Sequence, residues 1–321
     1  MPANSIPVIL DVDTGIDDAL ALLLAVRHPA LDVRAVTCVG GNVPLAQVVE
    51  NTLGVLALAG GEDIPVAAGM SAPLIEPARD ASYVHGENGV ADLRFPAHTM
   101  SPVPVHAVEL LRRTLMDADE PLTIIALAPL TNIAVLLRMH PEVTNKIERI
   151  LFMGGAVGAG NATAAAEFNI WHDPEAADIV VRSGVPTTMY GLEPFYRVCC
   201  DAETIASFDG ATDPVGATVG ALLRHLAQVT EDEARIVHPS GAAIGDAGAV
   251  CAVIDPAGVT VRRAPVSVAL HDVQTRGQTV VDLRSGLGAG GEVTKDAQGN
   301  IDVVLEVDGD RYARLFLDAV C

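Results

Sequence analysis

Four carboxylates fall within eight positions of Asp11-Val-Asp-Thr-Gly-Ile-Asp-Asp18. They stand where a strand ends and a helix begins, and Gly15 permits the tight turn between them. Helix capping accounts for one or two of these acids, because Asp17 and Asp18 suit the positive end of a helix dipole. It leaves Asp11 and Asp13 beside an apolar strand, where an unpaired charge is expensive. Like charges this close need a cation or raised pKa values. Oxygen donors alone point to a hard cation, Ca²⁺ or Mg²⁺, rather than zinc. A metal site is the expectation.

Two other patterns offer polar groups to a ligand. Gly40-Gly41-Asn42 closes the next strand. Its glycines let backbone approach a ligand, and Asn42 both donates and accepts hydrogen bonds. Taken alone it is an ordinary loop. Glu167-Phe-Asn-Ile-Trp-His-Asp-Pro174 puts a carboxylate and an amide at i and i+2. Those two share a face if the segment is extended, a useful grip on a vicinal diol. Loop polarity ahead of a helix explains it equally well. Gly154 to Gly160 has the wrong spacing for a dinucleotide fingerprint, and no Walker lysine motif occurs. Cys199-Cys200 lacks a base partner and reads as buried thiol. Among the scattered histidines, His85 in His85-Gly-Glu-Asn-Gly89 is the strongest functional candidate.

The elements that must hold these groups alternate. Val8–Val12 reads as a buried strand, and Asp17–His28 as a helix stopped by Pro29. Val33–Val39 is the next strand, and Pro44–Ala59 the next helix, ended by Gly60-Gly61. Thr123–Leu127 and Ile150–Met153 are strands flanking a helix near Leu130–Met139. Asp173 caps a helix from Pro174 to Arg182, and Thr187–Tyr190 is a short strand. This rhythm implies parallel βαβ units in an α/β fold, an open, doubly wound, mostly parallel sheet with flanking helices. Ligands bind such sheets beyond the C-terminal strand ends. Ala67–Pro104 has no clear period and reads as a functional lid. Ala202–Asp246 reads as helices with loops. Val259–Val307 alternates like a small antiparallel C-terminal portion, with a Gly-rich tip near Gly286–Gly291. No internal repeat or linker interrupts residues 1–321, so one domain is expected.

The composition narrows the partners. Half of the 321 residues are hydrophobic and 19% are charged, enough apolar matter for a sizeable core. Aromatics are only 3%, so Ala, Val, Ile and Leu must do the packing. The formal net charge of −21 repels phosphate backbones and anionic lipid, so neither nucleic acid nor membrane is an expected partner. Five cysteines at irregular spacings frame neither zinc nor disulfides. A reducing cytoplasm is the simplest compartment. The start lacks the basic region of a signal peptide. The apolar run Ala19–Val26 is far short of the roughly 20 residues a bilayer needs.

Together these pieces resemble the inosine–uridine-preferring nucleoside hydrolase family over nearly the whole chain. The Asp11/Asp13/Asp17/Asp18 element is highly specific for it. Gly41-Asn42, His85-Gly86, Ala128-Pro-Leu-Thr-Asn132, Met153-Gly-Gly155, Glu167-Phe-Asn169, Asp173-Pro-Glu-Ala-Ala177, Asp246 and Thr275-Arg-Gly-Gln-Thr279 follow in the family's order. The resemblance implies hydrolysis of a small-molecule ribonucleoside to ribose and free base. It implies one Ca²⁺ held by Asp13, Asp18, Asp246 and the carbonyl of Leu127. Asp13 is then the general base toward the attacking water. Asp17, Asn42, Glu167 and Asn169 hold the ribose hydroxyls, with Met153 beside them, and acids around the sugar favour an oxocarbenium-like state. A homo-oligomer, dimer or tetramer, is implied as well.

One departure concerns the leaving group. Family members that accept purines and pyrimidines carry a His immediately before the late Asp, and purine-specific members a Trp. Here Gly245 stands in that place, in Ala243-Ile-Gly-Asp246. His238 is the first replacement candidate for proton donor and His85 the second; His225 lies on the preceding helix. Gly245→His is expected to recover activity unless the glycine takes a positive φ. Gly191-Leu-Glu-Pro-Phe195 departs from a short acidic-apolar-Thr pattern, and no function follows from that. Two other readings compete. A nucleoside- or ribose-binding protein of weak or no activity would explain Gly245. A haloacid dehalogenase-type Mg²⁺ phosphatase would use Asp11-Val-Asp13, but Gly15 stands where that class wants Thr or Val.

Overall fold

The structure is a computed structural model, and it describes residues 5–233, 241–284 and 299–321. The chain opens with β1 (Ile6–Val12), α1 (Ile16–Arg27), β2 (Leu31–Cys38), α2 (Leu45–Ala59) and β3 (Val66–Ala68). After α3 (Ser82–His85) come α4 (Ala107–Asp117), β4 (Leu122–Ala126), α5 (Thr131–Met139) and β5 (Ile147–Met153). Then follow α6 (Phe168–His172), α7 (Pro174–Val181), β6 (Thr187–Tyr190), α8 (Leu192–Phe195) and β7 (Cys199–Cys200). The next elements are α9 (Ala202–Ser207), α10 (Pro214–Glu233), β8 (Ala242–Ala243) and α11 (Gly245–Ile254). The last are β9 (Val259–Ala264), β10 (Val266–Val268), β11 (Thr279–Val281), β12 (Ile301–Val307) and α12 (Gly309–Val320).

Eight strands form one sheet in the order β3-β2-β1-β4-β5-β6-β12-β9. Every pairing is parallel except β12 with β9. Alternation along β1 feeds both sides: Val8, Leu10 and Val12 enter one core and Ile9 the other. The first core takes α1, α2, α11 and α12, and the second α4, α5 and α7. From Ala19 to Val26 helix α1 is apolar all round, and Ala19 to Ala25 are fully buried. A helix without a polar face belongs inside, and α1 packs on α2, α11 and α12. Gly60 ends α2 at φ +80, the left-handed stop that its place in the sequence implied.

Two expectations gain detail in the structure. The small antiparallel C-terminal portion is present in the pairs β9 with β12 and β10 with β11, and β12 also runs parallel to β6, so β9 and β12 extend the main sheet. Among the described residues of this region, only β10 and β11 pair apart from that sheet, antiparallel. Alternation reports which face is buried, not which way the neighbour runs. The segment Ala67–Pro104 is irregular for most of its length, but β3 pairs with β2 at its start and α3 interrupts it. The Gly-rich tip near Gly286–Gly291 lies outside the described residues.

Candidate active site

The sheet order reverses between β1 and β4, the point where adjacent connections leave toward opposite faces and open a crevice. The candidate residues gather there. Asp13 follows β1, Asn42 follows β2, Leu127 follows β4 and Met153 ends β5. Glu167 and Asn169 open α6, and Asp246 sits in the first turn of α11. A cleft open to solvent is lined by Asp17, Asn42, His85, Leu127, Met153, Glu167, Asn169 and Asp246.

The acids are packed together. Asp18 reaches back to accept from Gly15 N at 2.9 Å and Asp13 N at 3.3 Å, so it caps α1 and joins the cluster at once. Asn42 donates its backbone N–H to Asp13 Oδ2 at 2.7 Å and its Nδ2 to Asp18 Oδ2 at 3.2 Å. Gly41 makes this contact possible, since a Cβ there would lie 2.0 Å from Asp13 Oδ2. Gly41 therefore admits a neighbouring carboxylate, while at Gly40 a Cβ would meet the Ser71 carbonyl at 2.8 Å. Carboxylate oxygens of Asp17, Asp18 and Asp246 lie within 4.8 Å of one another. Burial pushes Asp13 and Asp246 well above the usual carboxylate range and Asp18 to about 8, and neighbouring carboxylates push the same way. Asp13 Oδ1 and Asp246 Oδ1 are buried without a hydrogen-bond partner. Orphaned anionic oxygens in an all-oxygen cluster fit a hard divalent cation. Asp11 is held apart from this trio. Its Oδ1 accepts from Thr37 Oγ1 and from Asn132 Nδ2 at 2.9 Å, and burial raises its pKa to about 7.

The sugar-side groups do not lie on an extended segment. Glu167 is the N-cap of α6, and Asn169 is already helical. The carboxylate folds back to accept from Asn169 N at 2.8 Å, Ile170 N at 3.1 Å and Gly155 N at 2.8 Å. Asn169 Nδ2 donates to the carbonyls of Leu127 at 2.9 Å and Met153 at 3.2 Å. Both still face one cleft, because the cap and first turn of α6 lie over the ends of β4 and β5. Burial raises Glu167 to about 7, against the pull of its three N–H donors.

His85 lines the cleft, with Ile16 N donating to its Nδ1 at 3.2 Å and Asp17 Oδ1 at 3.9 Å. Burial lowers its pKa, so the ring is neutral with its proton on Nε2. His225 hydrogen-bonds the Val84 carbonyl through Nε2 at 2.9 Å and so holds α3. His238 lies outside the described residues. Gly245 does not have a positive φ. A side chain is blocked there by Phe195, whose Cδ2 stands 1.8 Å from where a Cβ would be. Phe195, Tyr196, Phe168 and Asn161 also line the cleft. Sequence reasoning passed over them because apolar rings and a lone loop Asn carry no pattern. The departure at Phe195 from the family's Thr was the one available signal.

Residues 8–314 match the family model of inosine-uridine preferring nucleoside hydrolase. The chain is 40% identical over 306 residues to the pyrimidine-specific ribonucleoside hydrolase RihA of Citrobacter koseri, covering 94% of this chain and 97% of that one. It is 39% identical to RihA of Escherichia coli O1:K1 / APEC, covering 98% of each. Among solved structures it superposes on the plant nucleoside hydrolase PpNRh1 with a TM-score of 0.89 at 29% identity. On the purine-preferring ribonucleoside hydrolase of Gardnerella vaginalis the values are 0.88 and 29%; each alignment covers 98% of both chains. With the family model spanning almost all of the sequence, and the acid cluster and polar cleft lying at the sheet's switch point, the chain belongs to the inosine-uridine preferring nucleoside hydrolase family.

Proposed function

We propose that this chain cleaves the N-glycosidic bond of ribonucleosides to ribose and free base, with one Ca²⁺ held by Asp13, Asp18, Asp246 and the Leu127 carbonyl. The observation that carries this reading is the pair of buried, unpartnered oxygens, Asp13 Oδ1 and Asp246 Oδ1, beside a cleft lined with polar groups. When bound, the cation supplies Lewis-acid polarisation, which lowers the pKa of water at the site.

The chain's own groups do the rest. Asp13 takes a proton from the attacking water, its carboxylate oriented by the Asn42 N–H on Oδ2. The water oxygen bonds to C1′, the C1′–N bond breaks, and its electron pair leaves on the base. Asp17, Asn42, Glu167 and Asn169 hold the ribose hydroxyls, whose donors and acceptors match carboxylates and amides. Met153 closes the floor of the cleft. The surrounding carboxylates favour positive charge as it develops on the sugar. His85 stands within reach of Asp17 and offers a neutral N–H to the departing base, a role it shares as candidate with His238. We read residues 1–321 as one such domain, supported by the single eight-stranded sheet. Assembly as a homo-oligomer and a cytoplasmic location complete the reading. The five free cysteines suit a reducing compartment, and among the described residues no helix is long and apolar enough to cross a membrane.

The test is a panel of purine and pyrimidine nucleosides read by released ribose, with and without a Ca²⁺ chelator, beside p-nitrophenyl riboside. Chelator-sensitive release of ribose from at least one natural nucleoside is expected. Binding without turnover, even of the activated riboside, would leave a nucleoside-binding protein instead.

A further inference from the structure

Phe195 and Gly245 are far apart in sequence and in contact in space. The ring of Phe195 fills the volume that a residue-245 side chain would take, 1.8 Å from the Cβ position at Cδ2 and 2.1 Å at Cγ. Since Gly245 directly precedes Asp246, the ring sits within a residue's length of the acid cluster. It also lines the cleft, edge-on to Tyr196 with centroids 5.1 Å apart and planes at 74°. The short helix that carries it is pinned. Glu193 Oε1 accepts from Val157 N at 2.9 Å and Gly158 N at 2.8 Å, and Leu192 N donates to Gly155 O at 2.9 Å. The lining of the cleft thus combines carboxylates and amides with the rings of Phe168, Phe195 and Tyr196 and with Leu226.

We propose that Phe195 is a specificity-determining residue that stacks against the nucleobase, and that Gly245 is glycine so that this ring can take its place. The proposal rests on the ribonucleoside reading above and deepens it. Phe195 has no proton to give and no hydrogen bond to make, so it recognises the base by ring contact alone. A ring of this kind rewards the larger face, so purines draw more from it than pyrimidines. The two departures from the family pattern, at 195 and 245, are then one exchange: a side chain from α11 for a ring from α8.

The experiment compares wild type, Phe195→Ala, Phe195→Leu, Gly245→Ala and the double variant Phe195→Ala/Gly245→Ala. It reads kcat and KM for inosine and uridine, and inhibition by free ribose, which has no base. Loss of base stacking is expected to raise KM by about 5- to 150-fold, more for inosine than uridine, with ribose inhibition unchanged. Phe195→Leu, which keeps apolar bulk without a ring face, is expected to follow Phe195→Ala. Gly245→Ala is expected to raise KM by displacing the ring, and to add nothing once Phe195 is Ala. Unchanged KM in Phe195→Ala, an equal loss of ribose inhibition, or additive effects of the two substitutions would overturn the proposal. If wild type turns over no nucleoside, the functional reading fails by itself. Calorimetric binding of inosine to wild type and Phe195→Ala then decides the stacking role.

Discussion

Cation binding and acidity should oppose each other at this site, and the size of the effect follows from Asp18. Burial lifts its carboxyl from the ordinary 3.8 to about 8. The metal-free fold therefore keeps a proton that the unfolded chain gives up above pH 3.8. The stability this group contributes is full below the unfolded value and is lost as pH rises through 8. A cation must displace that proton, so each pH unit below 8 weakens its binding tenfold per proton. At pH 8 Asp18 is half-protonated, so from pH 8 to pH 6 it alone costs about fiftyfold, or about 2.3 kcal/mol. Asp13 and Asp246 are raised in the same direction and add to it. With an unfolding entropy of about 2.1 cal/mol/K per residue over 321 residues, the Asp18 contribution corresponds to about 3 °C in Tm. The assay is thermal melting of chelated and Ca²⁺-loaded protein at both pH values. The Ca²⁺-induced rise in Tm should be larger at pH 8 by at least about 3 °C. His172, lowered by burial to about 4, titrates away from the cluster. Its effect is common to both forms and cancels in the difference. A rise that is equal at the two pH values, or larger at pH 6, would refute the reasoning.

Three further outcomes are expected. Asp13→Asn should lower kcat by at least about 10²-fold, the smaller end of what a positioned base contributes; ribose release close to the wild-type rate would remove Asp13 from that role. A 2′-deoxynucleoside should be a poorer substrate by roughly 10⁴-fold in kcat/KM, because the groups built for the hydroxyl are left unpaired, and equal values would contradict the diol site. Asn132→Ala should destabilise the fold by about 3 kcal/mol or more. Its amide serves Asp11 Oδ1, the Cys38 carbonyl and Met70 N, so three partners lose a bond at once; an unchanged denaturation midpoint would show that water replaces it.

Local chemistry made much of this protein legible from its sequence. The apolar runs of β1 and β4, the αL stop at Gly60 and the Asp173-Pro174 helix start are short-range effects, and each element lies where its residues imply. The acid cluster was legible for the same reason: Asp13, Asp17 and Asp18 are neighbours in the chain, and their repulsion needs no tertiary knowledge. What links distant segments was decided only by the fold. Alternation could not say that β12 would run parallel to β6. The Glu167 and Asn169 pair would share a face on an extended segment, yet its carboxylate caps α6 because three N–H groups converge on it. Asp11 resembled its neighbours in sequence, but Thr37 and Asn132 claim it for the interior. Gly245 read as a missing side chain, while in space its place is filled by a ring from fifty residues earlier. Periodicity and capping depend on neighbours along the chain. Which side chain fills a given volume depends on which elements the sheet order brings side by side.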